Sequence, residues 1–238
     1  MRAIILAAGA GTRLNPLTNG CPKCLVPAGK KLLLDHQLEA LQGVGVGDIV
    51  LVVGYEADQI REHCGTAVRY IENPDYLKTN SIYSLYLACG ELDTDTFLFN
   101  CDILFHPVLL KRMLDSGRPN IVAVDSHIKR VANEMNVRFE RDGCVAAISK
   151  ELDPASAQAQ SVQLVKFDAA GAQLVRREVE RLIQLQKKDI FPTSSYGPLI
   201  EAGLLYAVEA GDLPWAEIDS MEDYNRAIGH VLPRLEHI

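Results

Sequence analysis

The sequence of 238 residues lacks any long apolar run. The apolar N-terminal stretch, residues 4–8, is far too short to span a membrane and lacks the length of a secretory signal. The six cysteines have no regular spacing, which favours reduced thiols in the cytoplasm. Because 48% of the residues are hydrophobic and 23% are charged, a disordered, collagen-like or simple coiled-coil chain is excluded. We therefore expect a folded, cytoplasmic protein without a membrane partner.

The sequence also lacks an overall basic charge, since its formal net charge is -7. This argues against a nucleic-acid partner bound through a global basic field. Residues 1–34 are the exception, because they contain five basic side chains and the first carboxylate is that of Asp35. This distribution is typical either of a segment that receives a small anion or of a chance charge fluctuation on a solvated face.

Apolar strands alternate with helical segments in the first half of the chain. The predicted strands are residues 2–8, 48–53, 68–72, 96–100 and 121–124, and the predicted helices are 32–41, 56–64, 81–89 and 106–116. This alternation indicates an α/β fold with a doubly wound, mostly parallel sheet.

The pattern changes after residue 125. The pair Asp142-Gly143 predicts a tight hairpin turn, and the polar residues 153–161 predict a mobile loop. A strand over 163–167, a charged helix over 172–188 and a last helix from Ser220 onward follow. We interpret residues 1–238 as one domain in which residues 126–203 form a small β-rich lobe.

Two glycines directly follow the first strand, in the stretch LAAGAGTRL at residues 6–14. Such glycines let the backbone approach a ligand closely and point its N–H groups inward. The dinucleotide fingerprint needs a third glycine where this chain has Leu14, and the Gly-Lys-Ser/Thr of the P-loop is absent. Three prolines between residues 16 and 27 predict a rigid extended loop instead of a helix, with Arg13 and Lys23 as fixed cations.

Carboxylates occur at two further positions where a ligand could bind. Asp102 follows an apolar strand and would lie at the carboxyl end of the sheet, where it could hold Mg²⁺ or cap the next helix. Glu217 and Asp219 alternate with Ile218, which places both carboxylates on one face of a short strand. The segment that begins at Asp219 also fits a cap of the last helix.

The pattern from Leu6 to Pro27 resembles the signature of nucleotidyltransferases that activate sugar phosphates and related phosphate monoesters, and this resemblance implies a Rossmann-like fold. The stretch WAEID at residues 215–219 closely resembles one branch, the bacterial choline-phosphate and aminoalkyl-phosphonate cytidylyltransferases. The resemblance implies that Arg13 contacts the β- and γ-phosphates and that Lys23 lies beside the α-phosphate. It also implies that Asp102 and Asp219 hold Mg²⁺, supported by Glu217.

The same resemblance implies further residues that bind the nucleotide. In the loop they are Ala8, Gly9, Gly11 and Thr12. The stretch YLKTNSIYSL at residues 76–85 resembles the segment near the base, where Asn80 and Ser84 would form hydrogen bonds with the pyrimidine of CTP. The alternative is a helix cap at Asn80 and an ordinary surface serine at Ser84.

On the acceptor side, the resemblance places Lys150 near the acceptor phosphate. An amine on the acceptor would pair with Glu134 or Glu201, whereas the quaternary ammonium of choline would need aromatic rings such as that of Tyr196. Asn136 departs from the branch, which has a lysine there.

The predicted function is that of a Mg²⁺-dependent cytidylyltransferase that converts CTP and a small phosphate or phosphonate monoester to a CMP-linked product and pyrophosphate. Alternatives are a sugar-1-phosphate nucleotidyltransferase that uses UTP or dTTP, and a non-catalytic domain that senses nucleotides. The pair Cys21 and Cys24 also allows a redox-active dithiol, although Pro27 follows too soon for the helix that such a motif opens.

Overall fold

A nine-stranded sheet lies at the centre of the computed structural model, which describes residues 1–235. The strands are β1 (Arg2–Ala7), β2 (Pro27–Ala28), β3 (Lys31–Leu32), β4 (Asp48–Val53), β5 (Arg69–Glu72), β6 (Thr96–Asn100), β7 (Ile103–Phe105), β8 (Asn120–Asp125), β9 (Asn136–Phe139), β10 (Val145–Ser149), β11 (Ala159–Phe167), β12 (Leu205–Glu209) and β13 (Trp215–Glu217). The helices are α1 (Leu33–Gly43), α2 (Ala57–Cys64), α3 (Ser81–Leu87), α4 (Val108–Asp115), α5 (Ala169–Gln184), α6 (Gly197–Glu201), α7 (Met221–Arg226) and α8 (Leu232–Leu235). Within residues 1–235, no helix combines the length and the apolar composition needed to cross a membrane.

The first half of the sheet is parallel, with β5, β4, β1 and β6 side by side. Successive residues of β1 point to two different hydrophobic cores, one shared with α1, α2 and α4 and the other with α3 and α5. Because helices cover both faces, β1 and β4 are almost continuously apolar. The predicted doubly wound, mostly parallel sheet is confirmed.

The second half of the sheet is organised by the long strand β11, which pairs antiparallel with β6, β8 and β9. Its register with β8 shifts between Ser161 and Val165, and Gln163 in the shift has a left-handed φ of 62°. The predicted loop 153–161 is therefore wrong at its end, since Ala159 already pairs with β9. Residues 126–203 add strands to the main sheet and also supply α5, and their boundaries as a lobe stay a prediction.

A small ribbon brings the C-terminal segment to the end of β6. In this ribbon β7 and β13 are antiparallel, and Glu217 pairs with Ile103. The backbone N–H of Ile218 donates to the carbonyl of Asp102 at 2.9 Å. Strand β7 is not predicted from the sequence, because its three residues are too few for a periodic pattern.

Close packing at the start of α5 gives a test of the fold. A Cβ on Gly171 would lie 1.8 Å from Oδ1 of the buried Asn120, which accepts a hydrogen bond from the backbone N–H of Asp168. We expect Gly171→Ala to lower the free energy of unfolding by ~1–3 kcal/mol in urea titrations, because Asn120 has to move.

The matched control is Gly43→Ala at the end of α1, where no atom lies within 4 Å of an added Cβ. Its stability should equal that of the parent or exceed it by up to ~1 kcal/mol. Equal stability of the two variants would contradict the packing described at Gly171.

Candidate active site

The glycine-containing loop at the carboxyl end of β1 is held in place by short local contacts. Gly11 has a φ of 60°, and a Cβ there would lie 3.1 Å from Cβ of Lys23, so both conformation and space require glycine. The carbonyl of Gly11 accepts a hydrogen bond from Thr18 Oγ1 at 2.9 Å. The loop is not extended throughout, because Thr12–Leu14 and Lys23–Leu25 each form a single 3₁₀ turn. Such a turn needs only hydrogen bonds between residues i and i+3. Proline does not prevent it, since the carbonyl of Pro22 accepts from the backbone N–H of Leu25.

Lys23 is the buried cation of the site, with 7% of its surface exposed. Its Nζ donates to Asp102 Oδ2 at 2.7 Å and to Asp219 Oδ1 at 2.5 Å. Burial by itself opposes the charge, but the two carboxylates outweigh it and hold the pKa of Lys23 above its ordinary value. The lysine is therefore a charged bridge between two distant parts of the chain.

Asp219 faces the cleft and does not cap the last helix. Ser220 is the N-cap of α7, in a capping box with Asp223. The carboxylate of Asp219 instead receives Lys23 Nζ and, at 3.0 Å, Nη2 of the exposed Arg13. Although burial favours the neutral form, Lys23 and Arg13 hold the pKa of Asp219 below its ordinary value.

Three carboxylates converge at this point, since oxygen atoms of Asp102, Glu217 and Asp219 lie within 4.8 Å of one another. Oδ1 of Asp102 is buried without a hydrogen-bond partner among residues 1–235. Burial, and then the charges of Asp102 and Asp219, raise the pKa of Glu217 to about 7. A hard divalent cation such as Mg²⁺ prefers carboxylate oxygens and would relieve both the unpaired oxygen and the repulsion, so these residues fit a metal site.

A cleft of about 330 Å³ opens over these groups. It brings together most of the residues that the sequence predicts for the site: Ala8, Gly9, Gly11, Thr12, Arg13, Lys23, Asn80, Ser84, Asp102, Lys150, Glu217 and Asp219. Loop, sheet edge and C-terminal ribbon thus form one continuous lining.

Asn80 and Ser84 line the cleft, but both side chains also have protein partners. The side-chain oxygen of Asn80 accepts from the backbone N–H of Ser81 at 2.7 Å and caps α3, as the alternative interpretation held. Ser84 is buried, and its hydroxyl accepts from Asn73 Nδ2 at 3.0 Å. Their contact with a pyrimidine base stays a prediction.

Three of the predicted acceptor residues lie outside the cleft: Glu134, Glu201 and Tyr196. Glu201 is exposed at the end of α6 and lines neither the cleft nor the neighbouring cavity. Glu134 lines a neighbouring cavity of about 660 Å³, which shares Glu217 and Asp219 with the cleft. The structure corrects the prediction for Tyr196, which is 2% exposed. Its ring packs against that of Phe167, with the two ring centroids 5.4 Å apart. Burial also raises the pKa of its hydroxyl, so Tyr196 belongs to the hydrophobic core and cannot reach an acceptor.

The cleft lining also includes Asn73, Asn100, Gln163 and Phe191, which the sequence patterns do not predict. Gln163 Oε1 accepts from Asn100 Nδ2 at 3.2 Å, and the ring of Phe191 lies 5.0 Å from Lys150 Nζ. Asn73 and Asn100 stand at the carboxyl ends of parallel strands, which is where ligands bind in such sheets, so that rule would have found them. Gln163 depends on the irregularity in β11, which the sequence pattern does not reveal.

The six cysteines are free. The interaction with the neighbouring thiol of Cys101, together with burial, raises the pKa of the Cys24 thiol well above its ordinary value. Burial also raises the pKa of Cys21. A redox-active dithiol needs the opposite shift, toward the thiolate, so the dithiol interpretation does not fit.

Comparison with known families agrees with this geometry. The family model described as the MobA-like NTP transferase domain matches residues 3–152, which is more than half of the chain. The chain belongs to this family. The match runs from β1 through the strands that carry the glycine-containing loop and Asp102, and it ends before the C-terminal ribbon.

Relatives of this NTP transferase domain include two enzymes whose names refer to CMP or cytidylyl transfer. CMP-5'-(3-aminopropyl)phosphonate synthase of Streptomyces rubellomurinus is 37% identical over 148 residues, which are 60% of this chain and 23% of that protein. Choline-phosphate cytidylyltransferase of Streptococcus pneumoniae is 44% identical over 108 residues, 42% of this chain and 46% of that protein. The chain thus matches less than half the length of either relative.

A solved structure matches the chain over nearly its whole length. It is that of CTP:phosphocholine cytidylyltransferase from Streptococcus pneumoniae, with a TM-score of 0.81 and 28% identity. The match covers 96% of this NTP transferase domain and 97% of the solved chain. The fold described above, including its antiparallel second half, is therefore that of a known cytidylyltransferase.

The carboxylate cluster predicts how stability changes with pH in metal-free protein. Because the pKa of Glu217 is raised from 4.5 to about 7, the folded state retains a proton that the unfolded state loses, and stability falls as the pH rises through this range. Glu217→Gln keeps the neutral shape. In the presence of a chelator, the free energy of unfolding of the variant should exceed that of the parent by about 2 kcal/mol at about pH 8. At about pH 4.5 the two values should be nearly equal.

Added Mg²⁺ should stabilise the parent more than Glu217→Gln, because the amide brings no charge to the cluster. A variant that is no more stable than the parent at the higher pH would show that Glu217 is not held against the other two carboxylates.

Proposed function

We propose that the chain is a Mg²⁺-dependent cytidylyltransferase that transfers CMP from CTP to a small phosphate or phosphonate monoester and releases pyrophosphate. The observation that carries the proposal is the position of Lys23, whose ammonium lies between Asp102 and Asp219 in the wall of the cleft. An ammonium and a carboxylate cluster beside a glycine-containing loop suit a polyphosphate that is held and attacked at one phosphorus. The six free thiols suit the reducing environment of the cytoplasm, where we place the protein.

In this reaction an acceptor oxygen bonds to the α-phosphorus of CTP while the bond from that phosphorus to the pyrophosphate oxygen breaks. Two anions must approach each other, so positioning and neutralisation of charge provide most of the catalysis. Lys23 would stabilise the charge on the α-phosphate, Arg13 would hold the leaving pyrophosphate, and Lys150 would hold the acceptor phosphate. Asp102, Glu217 and Asp219 would hold Mg²⁺, which when bound supplies further neutralisation of phosphate charge.

CTP is supported as the nucleotide by the relatives, whose names specify CMP or cytidylyl products. The wall beside the loop contains both hydrogen-bond donors and acceptors for the edge of a pyrimidine. They belong to Asn73 and Ser84, whose Nδ2 and Oγ atoms lie 3.0 Å apart. We expect this pair and Asn80 to contact the base.

The acceptor is supported by the side chains of the neighbouring cavity. Trp215 is its sole aromatic lining residue in the described part of the chain, whereas a quaternary ammonium calls for several rings. Glu134 in the same cavity would pair with a primary ammonium. We therefore favour an aminoalkyl phosphonate or phosphate over phosphocholine.

Pyrophosphate release tests the proposal. CTP, UTP and dTTP are each combined with 2-aminoethylphosphonate, phosphocholine and glucose 1-phosphate in the presence of Mg²⁺. We expect kcat/KM to be highest for CTP with 2-aminoethylphosphonate and at least about tenfold lower for UTP with the same acceptor.

Asp102→Asn should lower the rate of pyrophosphate release about 100-fold or more, since the amide keeps the size but loses the charge.

Preference for glucose 1-phosphate with UTP or dTTP would assign the chain to sugar nucleotide synthesis. No pyrophosphate from any combination would indicate a domain that senses nucleotides without catalysis.

A further inference from the structure

The cavity beside the cleft is lined by opposite charges in a pattern that the nucleotide does not explain. We propose that it binds the distal end of the acceptor, and that this end is a zwitterion with both an ammonium and a carboxylate group, as in an amino acid. The inference rests on the proposed function, because Glu217 and Asp219 line both the cleft and the cavity. An acceptor whose phosphate lies in the cleft beside Lys150 could extend past these shared residues into the cavity.

A row of basic side chains forms one part of the lining. Arg226, His230 and Arg234 follow one another at intervals of four residues along the C-terminal helical segment, and all three line the cavity. Residues four apart lie on the same side of a helix. Arg226 Nη2 donates to Asp223 at 2.8 Å and Arg234 Nη2 donates to the carbonyl of Asp212 at 2.6 Å. Because a guanidinium has five N–H donors, both arginines retain donors for a carboxylate.

The remaining lining supplies a partner for an ammonium. Asp125 is already engaged, since it accepts from Trp215 Nε1 and from the backbone N–H of His127, each at 2.8 Å. The carboxylate of Glu134 is half-buried and forms no side-chain hydrogen bond within residues 1–235. Glu134 is therefore a carboxylate of the cavity that is open to an ammonium.

An amide side chain in the wall of the cavity offers a ligand both a donor and an acceptor. Gln160 in β11 is 9% exposed and lines the cavity, and its side chain has no hydrogen-bond partner in the described part of the chain. Neither amide atom of Gln160 belongs to the fully buried unpaired atoms of the described residues, so the amide is accessible and a ligand in the cavity could bind it. Its N–H₂ suits a carboxylate and its oxygen suits an ammonium, so one side chain serves both ends of a zwitterion.

Two acceptors that differ by one carboxylate provide the test. O-phosphoserine and phosphoethanolamine share the phosphate monoester and the ammonium, and only phosphoserine has the carboxylate. With CTP and Mg²⁺, kcat/KM for phosphoserine should exceed that for phosphoethanolamine by at least about tenfold, because a guanidinium–carboxylate pair is gained.

Replacing the two arginines should abolish this excess. In the double variant Arg226→Met, Arg234→Met the ratio of the two kcat/KM values should fall to about one, because neither arginine is left for the carboxylate. Glu134→Gln should lower kcat/KM for both acceptors, since both carry the ammonium. The control is Arg177→Met, an exposed arginine of α5 that lines neither cavity, and it should keep the ratio of the parent.

The ratio of kcat/KM for phosphoserine to that for phosphoethanolamine in the parent enzyme decides whether the acceptor is a zwitterion. A ratio at or below one, with phosphoethanolamine used by the enzyme, would overturn the zwitterion while the cytidylyltransferase function stands. A high ratio that the double variant retains would overturn the role of Arg226 and Arg234. Pyrophosphate from neither compound, nor from any acceptor of the wider panel, would overturn both proposals.

Discussion

A buried ammonium shared by two carboxylates holds the site together. Asp102, Glu217 and Asp219 place three oxygens within 4.8 Å of one another, and without a cation their mutual repulsion would open the cleft or protonate the cluster. Lys23 supplies that cation from the loop after β1. The interaction therefore links the N-terminal loop, the end of β6 and the C-terminal ribbon, three parts of the chain that are far apart in sequence.

Each carboxylate is positioned by a different element of the fold. Asp102 follows β6 directly, and its carbonyl accepts from the N–H of Ile218. The pairing of β7 with β13 then sets Glu217 beside it, and the capping box of Ser220 turns the chain so that Asp219 faces inward. A change in any of these contacts would move one carboxylate relative to the other two, which is why a short ribbon matters to the chemistry.

The sequence predicts the parts of the site that depend on local pattern. The strands at 48–53 and 96–100 agree with the structure to the residue, because buried parallel strands form uninterrupted apolar runs. The loop cations and the placement of Asp102 follow from the same pattern. In contrast, the sequence does not show that the ring of Tyr196 faces Phe167 in the core, so its prediction as an acceptor residue is wrong.

Other features depend on pairing over long distances. The bend of β11 at Gln163 exists because one strand pairs with both β9 and β6, and neither partner is adjacent in sequence. The buried amide of Gln160 and the row of arginines meet only in the folded chain. Specificity for the acceptor therefore comes from tertiary structure more than from the motifs that reveal the reaction class.

The most direct measurement is the affinity of the nucleotide-free protein for Mn²⁺, by calorimetry, in the parent and in Lys23→Met. The ammonium of Lys23 lies between Asp102 and Asp219, where it repels a metal ion bound to the same carboxylates. Its removal should therefore tighten Mn²⁺ binding by about tenfold or more, because the metal no longer competes with a fixed positive charge. Lys111→Met, which breaks an exposed pair with Asp115, should bind Mn²⁺ as the parent does. Equal or weaker binding by Lys23→Met would contradict the central role given to this buried ammonium.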